Sequence, residues 1–179
     1  MSKKILILSA SARKNSNSEA LAQEFAKGAA EAGNQVEIIR LYDRKIAFCS
    51  GCLACVETQR CVIRDDADAI AQKMGAADVL IFATPVYYYS VSGLLKTMLD
   101  RANPLYSSDY AFRDVYLLAA AAEDAPATAD GARTAVQGWV DCFEKARLAG
   151  AVFAGGVNQP GDIAGHPALR EAYEAGRKA

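Results

Sequence analysis

Apolar residues in this chain come in two alternating rhythms, short unbroken runs and longer stretches at helical spacing. Residues 5–8 (Ile-Leu-Ile-Leu) form a continuous apolar run, the pattern of a strand buried on both faces of a parallel sheet. Residues 16–32 follow as a predicted helix, because Leu21, Phe25 and Ala29 recur every fourth position as one stripe. Gly33 and Asn34 stop it. Residues 36–41 read as a second strand, and residues 77–83, 114–121 and 151–157 as a third, fourth and fifth. Helices are expected over residues 65–74, 93–101, 128–149 and 167–177. Residues 84–92 read as a loop, and 42–64 as a long irregular segment. Strands alternating with helices in this way predict a doubly wound α/β domain with one parallel sheet.

Size and charge narrow the picture. A chain of 179 residues favours one domain, 1–179, with residues 42–64 as an insertion. Lys plus Arg number 20 and Asp plus Glu 21, so nothing in the balance calls for nucleic acid or a membrane surface. The apolar run after Lys3-Lys4 is too short for a signal peptide, and no stretch has the length of a membrane helix. A soluble, cytoplasmic protein is expected. The lone histidine, His166, beside Pro167, reads as a cap or surface residue.

Candidate chemistry begins with sulfur. Cys49, Cys52, Cys55 and Cys61 fall within thirteen residues, at gaps of two, two and five. Soft thiolates at such spacing suit an iron–sulfur cluster or zinc. The run is close to the bacterial ferredoxin pattern, whose last gap is three and whose last Cys precedes Pro. Here Val62 follows instead. The competing reading is four reduced thiols in a loop, some buried as small hydrophobes. Five cysteines in all, an odd number, do not resemble a secreted disulfide framework. Cys142 is expected in the core, inside a helix.

Three loops should share a ligand at the carboxyl ends of the strands. The first, Ser9 to Ser18, has hydrogen-bonding side chains at Ser9, Ser11, Arg13, Lys14, Asn15, Ser16, Asn17 and Ser18, just before a helix N-terminus. Free N–H groups and the helix dipole favour an anion there. Without a G-x-G-x-x-G or a Walker pattern, the loop suits a terminal monophosphate. The second loop runs Thr84-Pro85-Val86-Tyr87-Tyr88-Tyr89-Ser90. Three tyrosines past a strand cannot all face a core, so some should line a slot for a flat aromatic ligand or a subunit interface. The third loop, residues 122–128, has Glu123 and Asp124 and is chemically mute by itself.

Taken together, these motifs resemble the NAD(P)H-dependent FMN reductases of flavodoxin-like fold, and within them most of all the iron–sulfur flavoproteins. The matching stretches are S-x-S-x-R-x-x-S-N-S, C-x2-C-x2-C-x5-C followed by Asp65-Asp66, and T-P-V-Y-Y-Y-S-V-S-G-x-L-K-x-x-x-D-R. The resemblance implies a five-stranded sheet in the order 2-1-3-4-5. It implies FMN, with Ser9, Ser11, Arg13, Asn15, Asn17 and Ser18 around the phosphate and Pro85, Val86, Tyr87 and Tyr88 along the ribityl chain and ring. Cys49, Cys52, Cys55 and Cys61 become candidate [4Fe–4S] ligands, expected beside the flavin. Lys96, Asp100 and Arg101 are expected to form ion pairs near the second loop. The implied activity passes electrons from NAD(P)H through FMN to a quinone, a flavin or a similar small molecule, or to a ferredoxin-like protein. No side-chain nucleophile is required. A homodimer or homotetramer is expected. The rival readings are a flavodoxin-type or iron–sulfur flavoprotein electron carrier, and a zinc-stapled binding module.

Overall fold

The computed structural model describes residues 2–179. In chain order its elements are β1 (Lys4–Ser9), α1 (Asn17–Glu31), β2 (Gln35–Arg40), α2 (Cys55–Thr58), α3 (Asp66–Ala76), β3 (Val79–Tyr87), β4 (Ser90–Val91), α4 (Gly93–Arg101), β5 (Asp114–Ala120), α5 (Asp130–Val140), β6 (Arg147–Ala154) and α6 (Pro167–Lys178). Five strands run parallel in the order β2-β1-β3-β5-β6. That is the expected 2-1-3-4-5 sheet. The sixth strand is a correction to the expected five: β4 pairs antiparallel with the end of β3, off the main sheet.

The unbroken apolar runs are explained by helices on both faces. Ile5, Ile7, Val79 and Ile81 face α1 and α6, where they pack with Leu21, Phe25 and Ala172. Leu6, Leu8, Leu80 and Phe82 face α3, α4 and α5. Phe82 is fully buried and meets Trp139 of α5 edge to face, with ring centroids 5.4 Å apart. Truncating such a ring to Ala costs about 3–5 kcal/mol. Helices α1 and α6 approach backbone to backbone through Gly28 and Gly176, since a Cβ on either would collide with the carbonyl of Tyr173 or Phe25.

Side-chain caps start four helices where polar residues precede apolar stripes. Ser16 caps α1, Asp65 α3, Ser92 α4 and His166 α6. His166 is thus a cap, its Nδ1 accepting from the Ala168 N–H at 3.1 Å.

Two boundaries differ from the sequence pattern. The helix expected over 128–149 ends at Val140, and the strand expected from 151 starts at Arg147. Helical spacing persists past Val140, but tertiary contacts override it. Phe143 turns inward onto Tyr110, Phe112 and Trp139. The Lys145 N–H donates to the Tyr110 hydroxyl at 2.9 Å, and the Arg147 N–H to the Arg113 carbonyl at 2.8 Å. The chain is thereby drawn into the sheet edge. Cys142 falls in this turn and is exposed, not in the core.

No helix among the described residues is long and apolar enough to cross a membrane.

Candidate functional site

A cavity of about 200 Å³ opens where β1, β3, β5 and β6 end. Its walls bring together Ser11, Arg13, Ser16, Asn17 and Ser18 from the first loop and Pro85, Val86 and Tyr87 from the end of β3. Ala120–Ala122 form a third wall, and Val157, Asn158 and Pro160 a fourth. That fourth wall, the segment after β6, carries no polar cluster or aromatic run that would have singled it out in the sequence.

The first loop is held open at a helix start. Its cap, the Ser16 hydroxyl, accepts from the Glu19 N–H at 3.2 Å, and the Ser11 hydroxyl accepts from the Arg13 N–H at 3.2 Å. The backbone N–H groups of Ala12, Lys14 and Asn15 find no acceptor among the described residues. Ser9 Oγ, buried in the strand just before the loop, has no partner either. Unused donors at the positive end of α1, with Arg13 and Lys14 beside them, suit a doubly charged phosphate.

The predicted residues divide into groups. Ser11, Arg13, Asn17, Ser18, Pro85, Val86 and Tyr87 line the cavity together; Ser9, Asn15 and Tyr88 do not. Ser9 lies beneath the loop. Asn15 is exposed in a left-handed conformation (φ 52°) that helps the loop turn. Tyr88 is fully exposed. Arg13 and Asn17 serve the fourth wall as well. Arg13 Nη1 donates to the Asn158 carbonyl at 2.7 Å. Asn17 spends both ends of its amide there, donating to the Gln159 carbonyl at 3.0 Å and accepting from the Ile163 N–H at 3.3 Å.

The segment 84–92 is a hairpin rather than a loop. Tyr87 pairs with Ser90, and the two residues between them, Tyr88 (φ 49°) and Tyr89 (φ 61°), both lie in left-handed space. This is a type I′ turn, normally built from Asn-Gly or similar pairs. Bulky side chains there cost about 1–3 kcal/mol each. Surrounding contacts hold the turn. Thr84 Oγ1 accepts from the Ser92 N–H at 3.0 Å, and the Ser92 hydroxyl donates to the Ala10 carbonyl at 3.0 Å, tying the hairpin to the first loop. Gly131 of α5 lies so close to the Tyr89 carbonyl that no side chain fits between them.

The cysteines line a second cavity, of about 450 Å³. Cys49, Cys52, Cys55 and Cys61 share its wall with Asn103 and Tyr106 after α4 and with Trp139, Cys142 and Phe143 at the end of α5. It shares no lining residue with the first cavity and lies on the opposite, α3/α4/α5 side of the sheet from α1. The cysteine segment leaves the sheet after β2. The segment folds back along α3 and the turn after α4, with Gln59 Nε2 on the Ser107 carbonyl (2.9 Å) and Ser107 Oγ on the Val56 carbonyl (2.9 Å).

Within the segment, Cys55 is buried at the start of α2, and Asn103 Nδ2 donates to its sulfur at 3.1 Å. Cys49 and Cys52 are exposed, and Cys61 is half-buried. The Ala54 N–H, then the Ser50 hydroxyl, pull the Cys52 thiol below its ordinary pKa. Four thiols on one enclosing wall fit a thiolate-bound group in donor chemistry. Among the described residues, no three His, Cys, Asp or Glu side chains already converge as a metal site, so ligation requires rotation of the thiols. Lys96 and Asp100 form an i, i+4 pair at 2.6 Å, while Arg101 pairs with Asp65 at the base of the cysteine segment.

Fold and cavities define a flavodoxin-like α/β protein with a polar-walled cavity at the carboxyl edge of its sheet. A model of the NADPH-dependent FMN reductase family matches residues 3–156, and the chain belongs to that family. It is 40% identical over 102 residues to an iron–sulfur flavoprotein of Methanocaldococcus jannaschii, covering 57% of this chain and 53% of that protein. With an iron–sulfur flavoprotein of Methanosarcina thermophila the identity is 35% over 111 residues, covering 62% and 58%. The chain spans about half the length of the curated relatives it matches. Among solved structures, an NAD(P)H:quinone oxidoreductase from Methanothermobacter marburgensis superposes with a TM-score of 0.76 at 21% identity, over 99% of this chain and 96% of that one. An azoreductase from Bacillus anthracis gives 0.76 at 20% identity over the whole of both chains. These likenesses show the fold.

Proposed function

We propose that the protein is an FMN-dependent oxidoreductase that takes electrons from NAD(P)H and passes them to a quinone, a flavin or a similar small molecule, with residues 1–179 acting as one FMN-binding unit. One observation carries this reading: unused N–H donors and Arg13 share a cavity with the Pro85–Tyr87 strand end, in a chain of the NADPH-dependent FMN reductase family. FMN, when bound, supplies the hydride-accepting centre. The chain's own part is to bind and orient. Ser11, Arg13, Ser18 and the loop N–H groups hold the phosphate. Pro85, Val86 and Tyr87 border the ribityl chain and ring. A cavity of about 200 Å³ is smaller than pockets that enclose a whole ligand, about 300–1,000 Å³, so it takes part of FMN and leaves a ring face open to reactants. The test is the flavin content of purified protein and its anaerobic bleaching by NADPH and by NADH. Protein that neither carries nor takes up FMN at micromolar concentration would sink the reading.

A second reading is favoured by the cysteine cavity and by relatives named iron–sulfur flavoproteins. Cys49, Cys52, Cys55 and Cys61 would hold a [4Fe–4S] cluster, whose chemistry is one-electron transfer. A ferredoxin-like protein then becomes a natural acceptor. The exposed side chains of Tyr87, Tyr88 and Tyr89, and of Phe48 and Leu53, support a homodimer or homotetramer. Sedimentation showing only monomer at micromolar concentration would refute that assembly.

A further inference from the structure

Both ends of the loop holding Cys49, Cys52, Cys55 and Cys61 meet one side chain. Arg101, at the end of α4, has no exposed side-chain surface. Its Nη1 and Nη2 each donate to one Asp65 carboxylate oxygen at 2.7 Å. Nη1 also donates to the Ala47 carbonyl at 2.8 Å, just before the cysteines, and Nη2 to the Ile63 carbonyl at 3.4 Å, just after them. Asp65 tightens the same neck by accepting from the Ala47 N–H at 2.8 Å while it caps α3. The bidentate fork is specific to arginine; a lysine ammonium cannot reproduce it.

One donor is left over. Arg101 Nε is buried and has no partner in the protein, although buried N–H groups are almost always paired. Asp65 first, and the Cys61 sulfur after it, favour the charged form of this guanidinium. Donors just outside a metal's ligands fix ligand orientation, and hydrogen bonds to the sulfurs tune cluster potential.

We infer that Arg101 is the positioning residue of the cysteine site: it clasps the neck of the loop and offers its spare Nε–H to the Cys61 sulfur when that sulfur serves as a ligand. The inference rests on reading the four cysteines as ligands. The clasp is separate from the flavin cavity, because neither Arg101 nor Asp65 lines it.

The test compares wild type, R101K and R101M, all prepared without oxygen. Metal-free protein is labelled with iodoacetamide, and each cysteine is followed by mass spectrometry. Cys55 and Cys61 should label faster in R101M, while Cys142, outside the loop, keeps its rate. After incubation with ferrous iron and sulfide, R101M should bind iron about 10–100-fold more weakly, the usual effect of losing a partner of a ligand. Iron that R101M retains at high loading should show a lower midpoint potential than in wild type. R101K, with the charge but not the fork, should fall between. FMN affinity should match wild type, which a general loss of fold would not allow. Unchanged labelling, iron uptake and potential in folded R101M overturn the inference. Should R101M fail to fold, D65N carries the same comparison, because it keeps the size of Asp65 and loses the charged fork partner. A wild type that takes up no iron overturns the ligand reading, and the labelling rates then decide the clasp by themselves.

Discussion

The Tyr89 hydroxyl donates to the Glu123 carboxylate at 3.0 Å, joining the hairpin after β3 to the loop after β5. The other Glu123 oxygen accepts from the Thr128 hydroxyl at 3.1 Å. Glu123, mute in the sequence, thus adds an exposed tether to a turn that two tyrosines make in left-handed space. The hydrogen bond and charge of Glu123 hold the Tyr89 phenol above its ordinary pKa. A raised phenol favours the neutral donor. Its contribution is whole below the unfolded value of about 10 and is lost as pH rises through the folded value. Y89F and E123Q should both loosen the hairpin and weaken FMN binding without affecting the cysteine site. Ultraviolet titration of Y89F should lose one late-ionising tyrosine and keep those held up at Tyr116 and Tyr173. Unchanged flavin affinity in both variants would detach this contact from the site.

Arg13 and Asn17 should respond differently to truncation. Arg13→Ala should weaken FMN binding by about 1–3 kcal/mol, the scale of a hydrogen bond from a charged donor. Asn17 is buried with both amide groups committed to the segment after β6. Asn17→Ala leaves the Gln159 carbonyl without this donor and the buried Ile163 N–H unpaired, so it should lower stability by about 1–3 kcal/mol as well as loosening the flavin. Flavin titration and urea unfolding of both variants check the contrast. Equal stability loss in the two would show that Arg13 is also structural.

The contrast shows what the sequence could and could not carry. Apolar runs at β1 and β3 identified strands because burial on two faces leaves no choice of side chain. The helix expected over 93–101 starts and ends where the pattern put it, with Ser92 as its side-chain cap. The end of α5 was illegible, because Phe143 and Tyr110 are brought together only by the fold. The double role of Asn17 was hidden likewise, its partners lying 142 and 146 residues away. Tyr88-Tyr89 read as loop because nothing in two tyrosines demands positive φ. Cys142 read as core on helical periodicity, and it joined the other cysteines only once the helix stopped short.

Acid should attack the base of the cysteine loop. Burial alone would raise the Asp65 pKa, but hydrogen bonds from Arg101, Ala47 and Ala67 outweigh it and leave the carboxyl below its usual range. A depressed carboxyl stabilises the fold above its unfolded value of about 3.9, and that contribution fades as pH falls through the folded value. D65N should be less stable than wild type at neutral pH, and the difference should shrink below about pH 4. Urea unfolding at a series of pH values reads this directly. A difference independent of pH would assign the loss to packing instead.

Cys52 separates the two cavities most cleanly. It is exposed, and its neighbours favour the thiolate, so it is the motif thiol most open to oxidants and to metal. With a cubane cluster, anaerobic wild type should hold about four irons per chain. C52A removes one of four ligands and should abolish that iron. FMN should stay bound, because the flavin cavity has no wall in common with the cysteines. Arg13→Ala should show the reverse, with flavin weakened and iron intact. Stoichiometric FMN without iron or sulfide in anaerobic wild type would leave an FMN-only reductase with reactive thiols on its α5 side. Iron retained in full by C52A would mean that another sulfur completes the set, and Cys142, on the same wall, is the one within the cavity.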